Sequence, residues 1–232
     1  MVYVYRVLSP GLRFFHWLLV ACMAVLFLTG LYIGSPGYIG TQGTEPTFAV
    51  ASLFSMETMR FVHFTAAFIL TGGLLLRIYL LFTYPGNRLF PDFRSGDYWR
   101  GLGEMAAYYS FLRPHHRLYL RNPLAATSYL VAYLLLVIEL VTGLAMYAMI
   151  DPNSLVAQLV APVNGWLGNE YMTHIVHHVI AWGFFIFALG HIYMVFYNDI
   201  VEKSGELSSI VSGRKHYYER PVDAADALLD KK

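Results

Sequence analysis

The chain has 232 residues, of which 57% are hydrophobic and only 13% are charged, and its mean hydropathy is +0.49. A soluble domain of this size carries about 25% charged residues, so the composition excludes an ordinary soluble domain and indicates an integral membrane protein. The formal net charge of +1 gives no basis for binding nucleic acid, which requires clustered positive charge.

Four stretches of the sequence are long and apolar enough to span a bilayer. The predicted spans cover approximately residues 14–33, 61–82, 127–150 and 175–197, and residues 198–232 form a tail. We therefore expect a single membrane domain over residues 1–232, built as an all-α bundle of four transmembrane helices.

The distribution of basic residues predicts how this bundle crosses the membrane. Segments 34–59 and 151–173 contain no Lys or Arg, whereas segment 83–126 contains six arginines. Loops rich in Lys and Arg stay on the cytoplasmic side. We expect a multi-pass protein of the cell (inner) membrane, with segment 83–126 and both termini in the cytoplasm.

Three of the four predicted spans contain histidine at a defined depth. With this orientation, His16 lies near the inner end of the first span and His63 near the outer end of the second, while the fourth carries His177 at its outer and His191 at its inner end. His177 and His191 are 14 residues apart, which on a regular helix puts them about 40° apart around the axis and roughly 21 Å apart along it. Depth then pairs His63 with His177 and His16 with His191.

Paired imidazoles at two depths predict two stacked haem groups. Imidazole is an axial ligand of haem iron, and ionisable side chains inside membrane spans are rare and usually functional. Cys22 is the only cysteine, so the chain has no CxxCH attachment motif and any haem is non-covalent and b-type. Two imidazoles per iron leave no open position, which favours electron transfer. The alternative for each histidine is a buried side chain hydrogen-bonded to a neighbouring helix.

Two further residues share the spacing of the predicted ligands. Gly30 follows His16 by 14 residues, and Arg77 follows His63 by the same interval. A glycine lets a flat macrocycle approach the helix backbone, and a guanidinium can pair with a haem propionate. Arg77 can instead extend to the inner interface.

Several other residues each have two alternative interpretations. His174 and His178 are interfacial or support the site, and either is an alternative to His177 as a ligand. His115 and His116 are solvated or deliver protons, and Glu139 is either protonated and hydrogen-bonded or part of a proton path. Residues 98–112 predict a short amphipathic helix on the inner surface, serving as an interfacial anchor or as the cover of a quinone pocket.

No nucleotide loop, nucleophile–base pair or HExxH motif is present in the sequence. The predicted part of this chain in an oxidoreductase is electron transfer to quinone, with the electron donor supplied by a partner protein. The sequence contains one internal echo, because Leu28-Thr29-Gly30-Leu31 is matched by Val141-Thr142-Gly143-Leu144.

Short motifs along the chain give a more specific expectation. They are Phe15-His16-Trp17, Arg60-Phe61-Val62-His63-Phe64, Leu76-Arg77-Ile78-Tyr79, Asn122-Pro123-Leu124-Ala125, Val141-Thr142-Gly143-Leu144-Ala145-Met146-Tyr147, Gly190-His191-Ile192-Tyr193-Met194, Asn198-Asp199-Ile200 and residues 207–213. Through these motifs the chain resembles the b-type cytochrome subunit of membrane-bound nickel–iron hydrogenases over nearly its whole length, and more broadly the di-haem four-helix subunits of formate dehydrogenases.

The resemblance implies that His16, His63, His177 and His191 are the haem ligands. It implies that large and small hydrogenase subunits split hydrogen on the outer face and pass electrons to the outer haem, and that quinone is reduced near the inner haem with protons from the cytoplasm. The chain departs from the family pattern at Arg121, where the family often has His, and at His178, where it often has Arg. These departures concern local propionate and quinone contacts rather than the fold.

Two alternatives remain at this point. The same scaffold can serve a formate dehydrogenase or thiosulfate reductase, which differs in the electron donor. A haem-free four-helix membrane scaffold would use none of the histidines as ligands.

Overall fold

The computed structural model describes residues 2–34, 55–83, 89–150 and 152–226. Its elements in chain order are β1 (Tyr3–Arg6), α1 (Pro10–Gly34), α2 (Met56–Thr83), α3 (Gly96–Tyr109), α4 (Pro123–Tyr147), α5 (Leu155–Val160), α6 (Pro162–Trp166), α7 (Glu170–Glu202), α8 (Glu206–Ser212), β2 (Arg214–Tyr217) and a 3₁₀ turn (Ala224–Asp226).

Helices α1, α2, α4 and α7 are long and apolar enough to cross a membrane. They contain 25, 28, 25 and 33 residues, and at 1.5 Å per residue even about 20 residues span the hydrocarbon core. The prediction of a four-span helical membrane protein is therefore confirmed. The third span differs in its bounds, because α4 ends at Tyr147 and residues 148–150 form a turn.

Helix α4 begins early for a local reason. Asn122 is the N-cap residue, and its side-chain oxygen accepts hydrogen bonds from the backbone N–H of Leu124 (2.9 Å) and of Ala125 (3.3 Å). Pro123 takes the first helical position, where a missing N–H costs nothing. The Asn-Pro motif thus fixes where the helix starts.

The chain divides into two compact units. The first, here called the α1–α2 unit, covers Phe14–Leu80. Its two helices approach closely at Gly73, where an added Cβ would lie 3.0 Å from Leu18 Cδ2 and 3.7 Å from Phe15 Cε2. A small residue at this crossing allows the two backbones to come together.

The second unit, here called the α4–α7 unit, covers Met1–Arg13 and Leu81–Lys232. At the Glu202 end of α7, strands β1 and β2 pair antiparallel, with Tyr3 opposite Tyr217 and Arg6 opposite Arg214. Gly213 precedes β2 with φ of +80°, and a Cβ there would lie 2.7 Å from the Leu8 carbonyl oxygen. Both the positive φ and the close approach require glycine.

The tail after β2 folds back on the loop before α4. The Tyr217 hydroxyl donates to the Tyr119 carbonyl (3.0 Å), and the Asp223 carboxylate accepts from the backbone N–H of Leu120 (2.6 Å) and of Arg121 (2.8 Å). These contacts place the described part of the tail against the arginine-rich segment.

The predicted short helix over residues 98–112 is present as α3, which runs from Gly96 to Tyr109. It ends before Phe111, whose φ is 61°. Met105 is buried and Trp99 is exposed, and the Tyr98 hydroxyl lies 2.6 Å from Thr127 Oγ1. The helix is amphipathic as predicted, and its role as anchor or quinone cover stays a prediction.

Helices α5 and α6 lie in the Lys/Arg-free segment between α4 and α7, for which no helix was predicted. Ala157 of α5 is buried, and Asn164 of α6 donates through Nδ2 to the Ala145 carbonyl at 3.3 Å. This contact holds the connection against the end of α4.

Candidate haem-binding sites

In the α1–α2 unit, the ring of His63 is held from one side by helix α1. Thr29 Oγ1 lies 2.9 Å from His63 Nδ1, and the backbone of Leu26 also hydrogen-bonds the ring. The Thr29 hydroxyl hydrogen is directed at the Val25 carbonyl (2.7 Å), so its oxygen accepts from His63 Nδ1–H. This tautomer leaves the lone pair on Nε2, the nitrogen available to a metal.

In the α4–α7 unit, the ring of His177 is held in the same way by helix α4. Thr142 Oγ1 lies 3.1 Å from His177 Nδ1, and the Glu139 carbonyl oxygen lies 3.1 Å from the same nitrogen. The Thr142 hydroxyl donates to the Ile138 carbonyl at 2.8 Å. His177 Nδ1 therefore also carries its hydrogen, and Nε2 carries the lone pair.

The residue after each threonine is glycine, and each glycine lies beside the histidine ring. An added Cβ at Gly30 would lie 3.4 Å from His63 Cε1, and one at Gly143 would lie 3.1 Å from His177 Cε1. Gly30 was predicted to allow close approach of a macrocycle, and in the structure the group beside it is an imidazole. Gly143, Thr29 and Thr142 were not predicted to take part in a site, although the repeated Thr-Gly motif was the available signal.

The two sites differ in the residue three positions before the threonine. In the α4–α7 unit this residue is Glu139, whose Oε1 lies 3.4 Å from His177 Nε2. Its other oxygen, Oε2, is buried and has no hydrogen-bond partner among the described residues. The corresponding residue in the α1–α2 unit is Leu26. Both predicted roles of Glu139, as a hydrogen-bonded acid and as part of a proton path, stay predictions.

The other two predicted ligands are half-buried and lie among aromatic side chains. His16 of α1 contacts Trp17 edge-on, with the ring centroids 5.6 Å apart. The ring of His191 is nearly parallel to that of Phe187, at 5.9 Å and 11°, and meets Tyr129 edge-on at 6.0 Å. Apolar and aromatic walls of this kind suit a large planar cofactor.

The remaining predicted site residues have distinct surroundings. Arg77 is only 4% exposed, which favours an interior role over extension to an interface.

The rings of His174 and His178 are stacked 5.6 Å apart, and His178 Nδ1 lies 3.3 Å from the His174 carbonyl oxygen. Of the three neighbouring histidines, His177 is the one beside Thr142 and Gly143 of α4, and its role as a ligand stays a prediction.

The two loop histidines, His115 and His116, differ in how far they are exposed to solvent. His115 is exposed, whereas the side chain of His116 is 7% exposed and its Nε2 lies 3.1 Å from Glu202 Oε1. Simple solvation, one of the two predicted roles, therefore suits His115 and does not suit His116.

The donor atoms at both sites fit axial ligation of a haem. At each site Nδ1 is bound by protein acceptors and Nε2 is the nitrogen left for the iron, and the glycine leaves room beside the ring. At His177 the Glu139 carboxyl faces that nitrogen and would have to turn aside. The pairing of His63 with His177 and of His16 with His191 stays a prediction.

These features define a class: four apolar helices of membrane-spanning length that carry histidines suited to metal ligation. The family model described as prokaryotic cytochrome b561 matches residues 7–213, and the chain belongs to this family. The family is one of b-type cytochromes, which confirms the prediction of a b-type haem cofactor.

Similar curated proteins cover nearly the whole chain. One is the "Probable Ni/Fe-hydrogenase 1 B-type cytochrome subunit" of Escherichia coli (strain K12), 33% identical over 224 residues and covering 91% of each chain. Proteins described as "Probable Ni/Fe-hydrogenase B-type cytochrome subunit" from Cupriavidus necator and Rhizobium leguminosarum bv. viciae are 33% and 31% identical, covering 93% and 94% of this chain and 87% and 90% of their own. The resemblance inferred from the sequence motifs is thereby confirmed.

Proposed function

We propose that this chain is the membrane-anchoring di-haem cytochrome b of a nickel–iron hydrogenase, and that it carries electrons from the iron–sulfur chain of that enzyme across the membrane to quinone. The observation that carries this proposal is the repeated site in which a Thr-Gly pair fixes Nδ1 of a membrane histidine. The names of the relatives support the hydrogenase as partner.

The roles of the chain's own residues follow from the donor geometry. Nε2 of His63 and of His177 would hold one haem, and Nε2 of His16 and of His191 would hold the other. Thr29 and Thr142 keep two of the rings in the tautomer that ligation needs. A haem b with two imidazole ligands supplies reversible one-electron chemistry without an open coordination position.

Arg77 and the orientation complete the proposal. The buried guanidinium of Arg77 would pair with a propionate of the haem held by His16 and His191. With Lys and Arg concentrated in segment 83–126 and in the tail, both termini lie in the cytoplasm of a cell whose inner membrane holds the chain. The hydrogenase large and small subunits then bind the opposite face, and quinone accepts electrons near His191.

The test is an optical difference spectrum of native membranes, recorded under hydrogen against the oxidised state. We expect haem b bands under hydrogen that disappear in the double variant His177→Ala/His191→Ala. Dithionite serves as the control, since it reduces any haem present regardless of its physiological donor.

Other results would assign the chain differently. Bands that appear with formate and not with hydrogen would identify it as the cytochrome subunit of a formate dehydrogenase or a related quinone-linked enzyme. Absence of haem bands even with dithionite would reject electron transfer and favour a haem-free scaffold.

A further inference from the structure

A stripe of polar residues continues the His191 face of α7 beyond the apolar span. Asn198 and Glu202 follow His191 by 7 and 11 residues, so on a regular helix each lies within about 20° of the His191 direction. At 1.5 Å per residue they lie roughly 10 Å and 16 Å further along the axis. The helix face that carries a predicted haem ligand therefore ends, two to three turns further on, at the amide of Asn198 and the carboxylate of Glu202.

Glu202 is paired with His116 in a largely water-excluded contact. His116 Nε2 lies 3.1 Å from Glu202 Oε1, and the two side chains are 7% and 14% exposed. His116 Nδ1 lies 2.7 Å from the Arg117 carbonyl oxygen, which can only accept, so Nδ1 keeps its hydrogen. Nε2 is then the single nitrogen of His116 that can exchange a proton with Glu202.

The surroundings of His116 favour the protonated ring. The hydrogen bond that His116 donates to the Glu202 carboxylate raises the pKa of His116 above its ordinary value. Burial opposes this increase, and the charges of Glu202 and Glu104 add to it. Tyr108 of α3 meets the ring edge-on at 4.4 Å. The groups facing this ring from the packed elements are Glu104 and Tyr108 of α3, Glu202 of α7 and the backbone of Arg117.

A hydrogen-bond network holds the loop and α3 against the same face of α7. The Tyr109 hydroxyl donates to Asn198 Oδ1 (3.1 Å) and accepts from Asn122 Nδ2 (3.2 Å). The Tyr108 and Tyr197 hydroxyls are 3.3 Å apart, and this hydrogen bond is the main cause that raises the pKa of Tyr108 to about 12. Burial also raises the pKa of Tyr109, so Tyr108 and Tyr109 stay neutral near pH 7, and the imidazole of His116 and the carboxylate of Glu202 are the groups suited to exchange protons there.

We propose that His116 and Glu202 form the pair that takes up protons from the cytoplasm for quinone reduction. The inference rests on the proposed function. Each turnover adds two electrons, supplied through the chain by the hydrogenase, and two protons to a quinone to give a quinol. A proton shared between His116 Nε2 and Glu202 Oε1 leaves toward the His191 end, and the pair regains a proton from water at the helix end. This cycle runs twice per turnover, once for each proton of the quinol.

The kinetic test uses membranes that contain the full complex, in which the haem is reduced chemically in advance so that the result does not depend on the hydrogen-splitting donor. A short-chain quinone is added, and haem oxidation is followed by stopped-flow absorbance between about pH 5.5 and 8.5. The variants are Glu202→Gln and His116→Gln, and His115→Gln, which changes the exposed neighbouring histidine, is the matched control.

In the unsubstituted protein we expect fast oxidation while His116 is protonated and a decline as pH rises through its pKa. Glu202→Gln removes the charge that raises this pKa, so the decline should move to lower pH and the rate at pH 7 should fall about 10-fold or more. Added imidazole should restore part of the rate in both pair variants, and His115→Gln should match the unsubstituted protein.

A second measurement is independent of turnover. In purified full-length protein with labelled histidine, the NMR titration of His116, assigned with His116→Gln, should show a pKa that falls in Glu202→Gln. Three results would overturn the pair and indicate a purely structural contact. They are an unchanged His116 pKa in Glu202→Gln, an unchanged rate and pH profile in the pair variants, and a uniform loss of rate at every pH that imidazole does not relieve.

Other results separate the pair from the proposed function. Absence of haem oxidation by quinone in the unsubstituted protein would overturn both the pair and the quinone part of the proposed function. Failure of hydrogen alone to reduce the haem would reject only the hydrogenase assignment.

Discussion

The His63 site of the α1–α2 unit and the His177 site of the α4–α7 unit are built from the same residue types. In each, a threonine oxygen binds Nδ1, at 2.9 Å for His63 and 3.1 Å for His177, and the next residue is a glycine beside the ring. They differ where Glu139 of one site corresponds to Leu26 of the other. The shared part therefore orients the imidazole, and the differing residue sets the polarity around Nε2.

The largest effect we expect is loss of haem on removal of either ring. His63→Ala and His177→Ala should each bind one haem instead of two, because an iron that loses one of two axial imidazoles is held poorly. Pyridine haemochrome assay of purified protein measures the haem content. Full haem content in either variant would exclude that histidine as a ligand.

The next largest effect is expected from alanine substitution at one of the two glycines, Gly143, and not at the other, Gly30. Gly143→Ala puts a Cβ 3.1 Å from His177 Cε1, so the ring must shift, whereas Gly30→Ala puts one at 3.4 Å from His63 Cε1, an ordinary contact. Crowding of a packed site costs about 1–3 kcal/mol. We expect Gly143→Ala to reduce haem occupancy and to change the low-temperature EPR spectrum, and Gly30→Ala to resemble the unsubstituted protein. Equal effects at the two positions would contradict the difference in spacing.

The third prediction concerns Glu139→Leu, a substitution that makes the His177 site resemble the His63 site. Glu139→Leu introduces the residue type found at position 26 and removes a buried carboxylate oxygen that has no partner among the described residues. Leaving such a group unsatisfied costs about 1–3 kcal/mol, so the variant should unfold at a higher temperature and keep its haem. Glu139→Gln, which retains a buried polar group, is the control. A less stable Glu139→Leu protein would show that the carboxyl makes a favourable interaction in the assembled protein.

The smallest effect should come from the threonines. Thr29→Val and Thr142→Val remove one acceptor from Nδ1, while the ring keeps its backbone partner at Leu26 or Glu139. A hydrogen bond of this kind contributes about 1 kcal/mol, so haem content should persist and the midpoint potential should rise slightly, because the ligand donates less charge. Potentiometric titration measures the shift, and opposite signs in the two variants would disprove a common role.

Much of this arrangement was predictable from the sequence because membrane helices follow simple rules. Apolar length gave the four spans, but it placed the start of the third at residue 127, whereas α4 begins at Pro123 after the Asn122 cap. The spacing of the histidines gave their faces on regular helices. Each of these properties depends on one helix at a time.

Properties that depend on two helices were not predictable in the same way. The Thr-Gly repeat was visible, but the contact of Thr29 with His63 and of Thr142 with His177 arises only when the helices pack. The burial of His116 against Glu202 likewise joins residues that are 86 positions apart. Helices α5 and α6 were missed because they are short and lie in a segment without a strong periodic pattern.

The central proposal is the assignment of His63 and His177 as the two ligands of one iron. The direct test is the haem content of the double variant His63→Ala/His177→Ala, compared with each single variant and with His63→Ala/His191→Ala. We expect the first double variant to keep one haem, like the single variants, and the second to keep none. Complete loss in the first double variant would show that the two histidines serve different irons and would contradict the account.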